Sequence, residues 1–103
     1  MTDLSKMSLG AIADLVAQDW SRVYFGARPY LRAMMALSTM HDTYGKDDAE
    51  TVVMYFLSNA NGWRTDTARA VKAELRKRLS VHQHAKRRQA RIERGVERLR
   101  GEQ

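Results

Sequence analysis

Hydrophobic residues recur every three or four positions along most of this chain, which is the period of an amphipathic α-helix. The first stretch predicts a helix over about residues 8–24, and the Ser8 side chain can cap its amino end. A second helix is predicted to start at Pro29, whose fixed φ suits a first turn, and to end at Gly45. Strand signals are weak, so the pattern favours an all-α fold.

Two further helices are predicted before the last quarter of the chain. One begins at Asp47, where Asp47-x-x-Glu50 resembles a capping box, and its apolar residues cover nearly every side, which is typical of a central helix. The other begins near residue 65. The residues of its inner face are Ala68, Val71, Leu75 and Leu79. We therefore predict a compact four-helix domain over residues 1–79, with Trp63 holding the last interhelical loop against the core.

Charge separates this predicted domain from the end of the chain. The whole chain carries +6, and between Arg76 and Arg100 there are ten Lys or Arg and only two acids. That stretch therefore holds +8, and the remaining residues together hold −2. A near-neutral domain followed by a basic arm, here residues 80–103, is typical of proteins that bind phosphates or acidic protein surfaces.

The arm is amphipathic if it is helical, so we predict an additional amphipathic basic C-terminal helix. At about 100° per residue, four arginines share one face: Arg87, Arg91, Arg94 and Arg98. Apolar residues share the opposite face: Val81, Ala85, Ile92, Val96 and Leu99. That apolar face is rotated by roughly 100° from the inner face of the fourth helix. Either the chain bends near residues 80–84, or the second apolar face meets a different partner.

Several short motifs lie between residues 29 and 79. They are Pro29-Tyr30-Leu31-x-Ala33-Met34, Asp42-x-Tyr44-Gly45, Tyr55-Phe56-Leu57-Ser58-Asn59-Ala60, Trp63-Arg64 and Ala68-Arg69-x-x-Lys72-x-Glu74-Leu75. In these motifs the chain resembles a group of small uncharacterised all-helical proteins encoded by bacteriophages and prophages, chiefly of actinobacteria. Thr65 stands where a glycine usually follows the Trp-Arg pair. The resemblance implies a phage accessory role and supplies no catalytic residue.

Catalytic and metal chemistry find little support in the sequence. The chain has no cysteine, which excludes disulfides and thiolate metal sites. One acidic cluster lacks the alternate spacing of a calcium loop and is assigned to caps and loop: Asp42, Asp47, Asp48 and Glu50. Three histidines accompany no recognisable nucleophile and are assigned to the surface: His41, His82 and His84. We predict no catalysis, no metal and no cofactor.

The remaining features concern location and aromatic residues. The chain shows neither a secretory signal pattern nor the ~20 apolar residues of a membrane span, so the expectation is a soluble, cytoplasmic protein that does not bind membranes. Aromatic side chains can stack on bases, but at helical spacing in a small domain they are more typical of a core. On this ground the core is favoured for Trp20, Tyr30, Tyr55, Phe56 and Trp63. The aromatics near helix ends are expected to be the more exposed ones: Tyr24, Tyr44 and Trp63.

The charge pattern leaves three readings of the arm open. The first is binding of DNA or RNA through phosphate contacts. The candidate residues are Arg76, Lys77, Lys86, Arg87, Arg88, Arg91, Arg94 and Arg98. The second is a protein-binding module, either an inhibitor or modulator of a host machine or a virion assembly factor, which docks on an acidic surface or through the apolar face of the arm. A short coiled-coil homodimer through that face is an option that Gly95 weakens. The third is a solvated helix without a partner.

Overall fold

The computed structural model describes residues 3–101, and side chains are described as far as Val96. The chain is mostly helical. Its elements in order are a single 3₁₀ turn (Leu4–Lys6), α1 (Leu9–Asp19), α2 (Arg28–Met35), β1 (Thr43–Tyr44), β2 (Asp47–Asp48), α3 (Ala49–Ser58) and α4 (Asp66–Gly101). β1 and β2 pair antiparallel, with Thr43 opposite Asp48. The predicted all-α fold therefore holds only in its coarse form, because a small two-stranded sheet interrupts the helices.

Buried side chains of α1, α2, α3 and the first part of α4 form one hydrophobic cluster. Trp63 is its bulkiest fully buried member, at 2% exposure, and its ring stacks on Trp20 with 5.6 Å between centroids and 8° between planes. The Trp63 indole N–H donates to Asp19 at 2.9 Å. The predicted role of Trp63 in holding its loop against the core is confirmed, and its predicted exposure is wrong.

α1 begins as predicted but ends five residues early. The Ser8 hydroxyl accepts a hydrogen bond from the Ala11 amide at 3.0 Å, which caps the helix. At the other end Trp20 adopts extended backbone (ψ 92°), and its ring turns inward against Trp63. Packing in the core therefore ends this helix, although the sequence period continues. Near its start, Gly10 lies so close to α2 that an added Cβ would stand 2.8 Å from the Met35 carbonyl oxygen.

α2 is also shorter than predicted, because a nearby side chain accepts hydrogen bonds from the amides that would continue the helix. The Asp42 carboxylate accepts hydrogen bonds from the amides of Ser38 and Thr39 at 2.8 and 2.9 Å. These bonds replace the helical partners of the two amides, as side-chain acceptors in turns commonly do. Gly45, predicted as the helix end, instead occupies the hairpin turn between β1 and β2 with a φ of 63°.

α3 begins at Ala49, two residues after the predicted start at Asp47. Asp47 pairs with Tyr44 in the hairpin, and the Asp48 carboxylate caps the helix by accepting from the Thr51 amide at 2.8 Å. Asn59 ends α3, and its side-chain amide donates to the Tyr55 carbonyl at 2.8 Å. Asn59 therefore has a structural role.

α4 is one helix of 36 residues that runs through the predicted arm without a break. It starts after Thr65, whose hydroxyl accepts from the Ala68 amide at 3.0 Å. Its length of about 54 Å accounts for most of the 61 Å long dimension of the molecule. Leu79 is the last residue of α4 in the buried cluster. The chain does not bend near residues 80–84, so the second apolar face lies beyond the core.

The Glu50 carboxylate of α3 is hydrogen-bonded to the part of α4 that extends beyond the core. It accepts hydrogen bonds from Gln83 at 3.0 Å and from the Lys86 ammonium at 2.8 Å, and His82 lies 3.8 Å away. The Lys86 bond, followed by the Gln83 bond, lowers the pKa of Glu50, and the Glu50 bond raises the pKa of Lys86. A lowered folded-state pKa gives stability that is present above the unfolded pKa and is lost as pH falls through the folded pKa.

We expect Glu50→Gln to lower the free energy of unfolding by about 1 kcal/mol at pH 7, because the bonds to a charged acceptor weaken. The deficit should shrink as pH falls below the ordinary glutamate pKa of about 4.3 and then through the lowered pKa of the native Glu50 carboxyl. Urea unfolding of both proteins between pH 3 and pH 7 measures it. The control Glu93→Gln removes an exposed acid of α4 whose described contact is only with Gln89. Equal deficits for the two variants at pH 7, or a Glu50→Gln deficit that grows in acid, would contradict this role.

Candidate nucleic-acid interface

Six cations of α4 lie on the side of the helix that faces away from the core. We define the basic sector as six exposed residues of this helix: Arg76, Lys77, Arg87, Arg88, Arg91 and Arg94. At about 100° per residue they fall within roughly 120° of arc. The middle of this arc lies about 160° from the direction of the buried residues Val71, Leu75 and Leu79. The sector is therefore available to a partner along its whole length.

The basic sector contains no acid between Ala70 and Val96. Glu74 and Glu93, the two acids of that stretch, fall on other sides of the helix. Among the described side chains, no carboxylate lies within ion-pairing distance of any sector residue. Other cations of α4 are paired: Arg69 with Asp66, Arg78 with Glu74 and Lys86 with Glu50. The paired cations of α4 therefore stabilise the fold, whereas the cations of the basic sector are exposed to solvent.

The spacing of the sector suits an extended anion. From Arg76 to Arg94 the rise of a helix gives about 27 Å, and duplex DNA carries one charge per ~1.7 Å of its axis. Five of the six residues are arginines, whose planar group can hold two phosphate oxygens at once.

Two of the eight candidate contact residues lie outside the sector. Lys86 is on the far side of the helix, where its ammonium bonds to Glu50. Arg98 lies within α4, but its side chain is outside the described residues, as is that of Leu99. The sequence pattern could not reveal the Lys86 contact, since its partner is 36 positions away.

The apolar face of the arm is uncovered. We define the apolar stripe as Val81, Ala85, Ile92 and Val96, of which the three larger side chains are 63%, 53% and 44% exposed respectively. Val81 and Ala85 also border a groove of about 310 Å³ between α4 and the loop after α2, to which Met40 and Ser5 contribute. The stripe therefore continues from the groove along the free part of the helix.

The polar side chains considered as possible metal ligands instead make contacts within the fold. Asp42 and Asp48 accept backbone amides. The bonds from the Thr39 and Ser38 amides lower the pKa of Asp42, and bonds from the Thr51 side chain and then the Thr51 amide lower the pKa of Asp48. His41 packs edge-on against His82 with 5.3 Å between ring centroids. Among the described side chains, which end at Val96, no group of three His, Asp or Glu residues is arranged to hold a metal ion.

The aromatic side chains divide differently from the sequence expectation. Trp20 and Phe56 are buried as predicted, whereas Tyr55 is 52% exposed and stacks on Tyr30 at 5.3 Å. Tyr24 and Tyr44 are exposed, as expected. Phe25, in the segment between the first two predicted helices, is at 73% the most exposed large hydrophobic residue among the described side chains. Its position beside Gly26, in a segment with no helical period, was the available signal.

No protein-family model, curated protein or solved structure matches this chain. No helix in the described part of the chain combines the length and apolar character needed to cross a membrane.

Proposed function

We propose that this chain binds nucleic acid through the basic sector of α4, without catalysis. One observation carries the proposal: six exposed cations share about 120° of one uninterrupted helix, and no acid falls within that arc between Ala70 and Val96. A merely solvated helix face normally mixes the two signs, often as pairs four residues apart. Such pairing holds for Arg78, but not within the sector.

The proposal gives the two parts of the chain different roles. In this proposal residues 1–79 are a compact four-helix domain and residues 80–103 are its basic arm, the described part of which continues α4. Phosphate contacts fix position but carry little sequence information, so we expect weak discrimination between sequences. The motifs between residues 29 and 79 resemble those of phage and prophage proteins, which agrees with an accessory protein that acts in the cytoplasm.

The test is titration of labelled duplex and single-stranded DNA or RNA with the full chain at 50 mM salt, followed by fluorescence anisotropy. We expect binding, and we expect the triple variant Arg87→Gln, Arg91→Gln, Arg94→Gln to bind roughly 10²–10³-fold more weakly, because three phosphate contacts are lost. The matched control removes three exposed cations outside α4: Arg22→Gln, Arg32→Gln, Lys46→Gln.

The control keeps the same net charge as the test variant, so it separates the sector from a general effect of charge. An affinity loss of equal size in both variants would show that the sector has no special part in binding. Absence of binding by the unmodified chain to any of the nucleic acids at 50 mM salt would defeat the proposal altogether.

A protein-binding module is the second candidate, and the exposed apolar stripe favours it. Val81, Ile92 and Val96 expose between 44% and 63% of their surface, and apolar faces of helices commonly dock in hydrophobic grooves of partner proteins. In that case the basic sector would meet an acidic protein surface. Nucleic-acid binding and protein binding differ in their salt dependence and in the variants that abolish them, since only protein binding requires the apolar stripe.

A further inference from the structure

We infer that His84 is a further phosphate contact of the basic sector, and that nucleic acid binds with uptake of a proton at its imidazole ring. The inference rests on the proposed function and adds a regulation of the same site by pH. Its basis is a gap in the charge of the basic sector, together with the position of His84 inside that gap.

The basic sector consists of two groups of cations that are separated along α4. Arg76 and Lys77 form the first group, and the second begins at Arg87, ten positions after Lys77. At 1.5 Å per residue the gap between the groups is about 15 Å long. A duplex of that length carries about nine phosphate charges, and the sector offers them no permanently charged side chain. The helix is continuous across the gap, but the positive charge is not.

Two residues of the gap fall within the arc of the basic sector, Ser80 and His84. At about 100° per residue they lie roughly 20° on either side of the middle of the arc. Both side chains are exposed. The serine hydroxyl is neutral, so His84 is the residue that can bring positive charge into the gap. With a protonated ring at this position, the longest interval between neighbouring cations falls from about 15 Å to about 10 Å.

The neighbours of His84 along this side of α4 are cations. Arg87 and Arg88 follow it by three and four positions, and Lys77 and Arg91 lie seven positions before and after it. No acid stands at any of these spacings. In the free chain these cations repel a charge on the ring, whereas phosphates bound to Arg87 and Arg88 attract it. The complex therefore holds the proton more firmly than the free chain does.

Charged groups from other parts of the fold meet α4 on a different side. His84 borders a surface hollow that is lined by described residues of α4 alone. Glu50 contacts α4 at His82 and Lys86, both of which lie about 160° from His84 around the helix axis. The other titratable groups on that side are His41 and Asp48. Among the described side chains, the carboxylates that reach this part of α4 are thus turned away from His84.

The direction of the pH effect follows from the proton count. Since the complex binds more protons than the free chain, affinity for nucleic acid rises as pH falls through the range in which histidine titrates, about 8 to 5. A protonated ring adds about one phosphate contact, which is worth roughly tenfold in affinity at 50 mM salt. The same contact steepens the salt dependence by about 0.9 in the logarithmic slope.

The test is fluorescence anisotropy with the full chain and duplex DNA at pH 5.5 and pH 8.0 in 50 mM salt. The duplex has no terminal phosphates, because these titrate near pH 6 themselves. We expect the unmodified chain to bind about tenfold more tightly at pH 5.5, and His84→Gln to lose this dependence. His84→Arg carries the charge at both pH values, so it should bind at pH 8.0 about as tightly as the unmodified chain does at pH 5.5.

The matched control is His41→Gln, which removes another exposed histidine and should keep the roughly tenfold pH dependence. Equal affinities of the unmodified chain at the two pH values would overturn the inference. So would a His84→Gln variant that keeps the pH dependence, or a salt slope that is the same at both pH values. In each of these cases DNA is still bound and the proposed function stands, whereas absence of binding at both pH values would overturn the proposed function as well.

Discussion

Replacement of Trp63 by alanine should lower the free energy of unfolding by about 3–5 kcal/mol, which is the usual cost of removing a fully buried aromatic side chain. Trp63 is 2% exposed, stacks on Trp20 and meets Phe56 edge-on with 6.5 Å between ring centroids. Its loss leaves a cavity where α1, α3 and α4 meet. A domain of this size has a total stability on the order of 5–10 kcal/mol, so the variant should be partly unfolded at 37 °C.

Urea unfolding followed by circular dichroism measures this effect. Trp63→Phe should retain more of the stability, because it keeps part of the ring stack and loses the indole bond to Asp19. Tyr44→Ala is the control, because this exposed residue of β1 contributes no buried surface and should change stability by less than about 0.5 kcal/mol. If Trp63→Ala cost no more than this control, the core described here would be wrong.

Affinity for duplex DNA should fall about 10³-fold between 50 and 200 mM salt, if all six residues of the basic sector meet phosphates. Each neutralised phosphate releases condensed counterions, and the logarithm of the affinity falls by about 0.9 per contact for each tenfold rise in salt. Titrations at four or more salt concentrations measure the slope. An affinity that varies less than tenfold over this range would show that fewer than two phosphates are contacted.

Helix faces could be predicted from the sequence because they depend on neighbours three or four positions apart. The inner face of the first part of α4 and the cap at Ser8 were correct for this reason. Helix ends were less predictable, because distant or competing contacts set them. α1 ends where Trp20 turns toward Trp63, and α2 ends where Asp42 takes the amides of Ser38 and Thr39.

The candidate site, too, could be predicted from the sequence only in part. Helical spacing alone places Arg87, Arg91 and Arg94 together, and the unbroken course of α4 puts the candidates Arg76 and Lys77 on the same side of the same helix. The rotation between the two apolar faces suggested a bend as one of two outcomes. α4 instead stays straight enough to remain a single helix, and its second apolar face is exposed. Sequence period cannot decide between these outcomes, since it carries no information on where the core ends.

The basic sector as the nucleic-acid interface is tested most directly by comparing salt slopes. Plots of log affinity for duplex DNA against log salt should be parallel for the unmodified chain and the control that lacks three cations outside α4. The triple variant at positions 87, 91 and 94 should have a slope smaller by about 3, one unit for each lost phosphate contact. Three parallel lines, or a slope that falls as much in the control, would contradict binding through the basic sector.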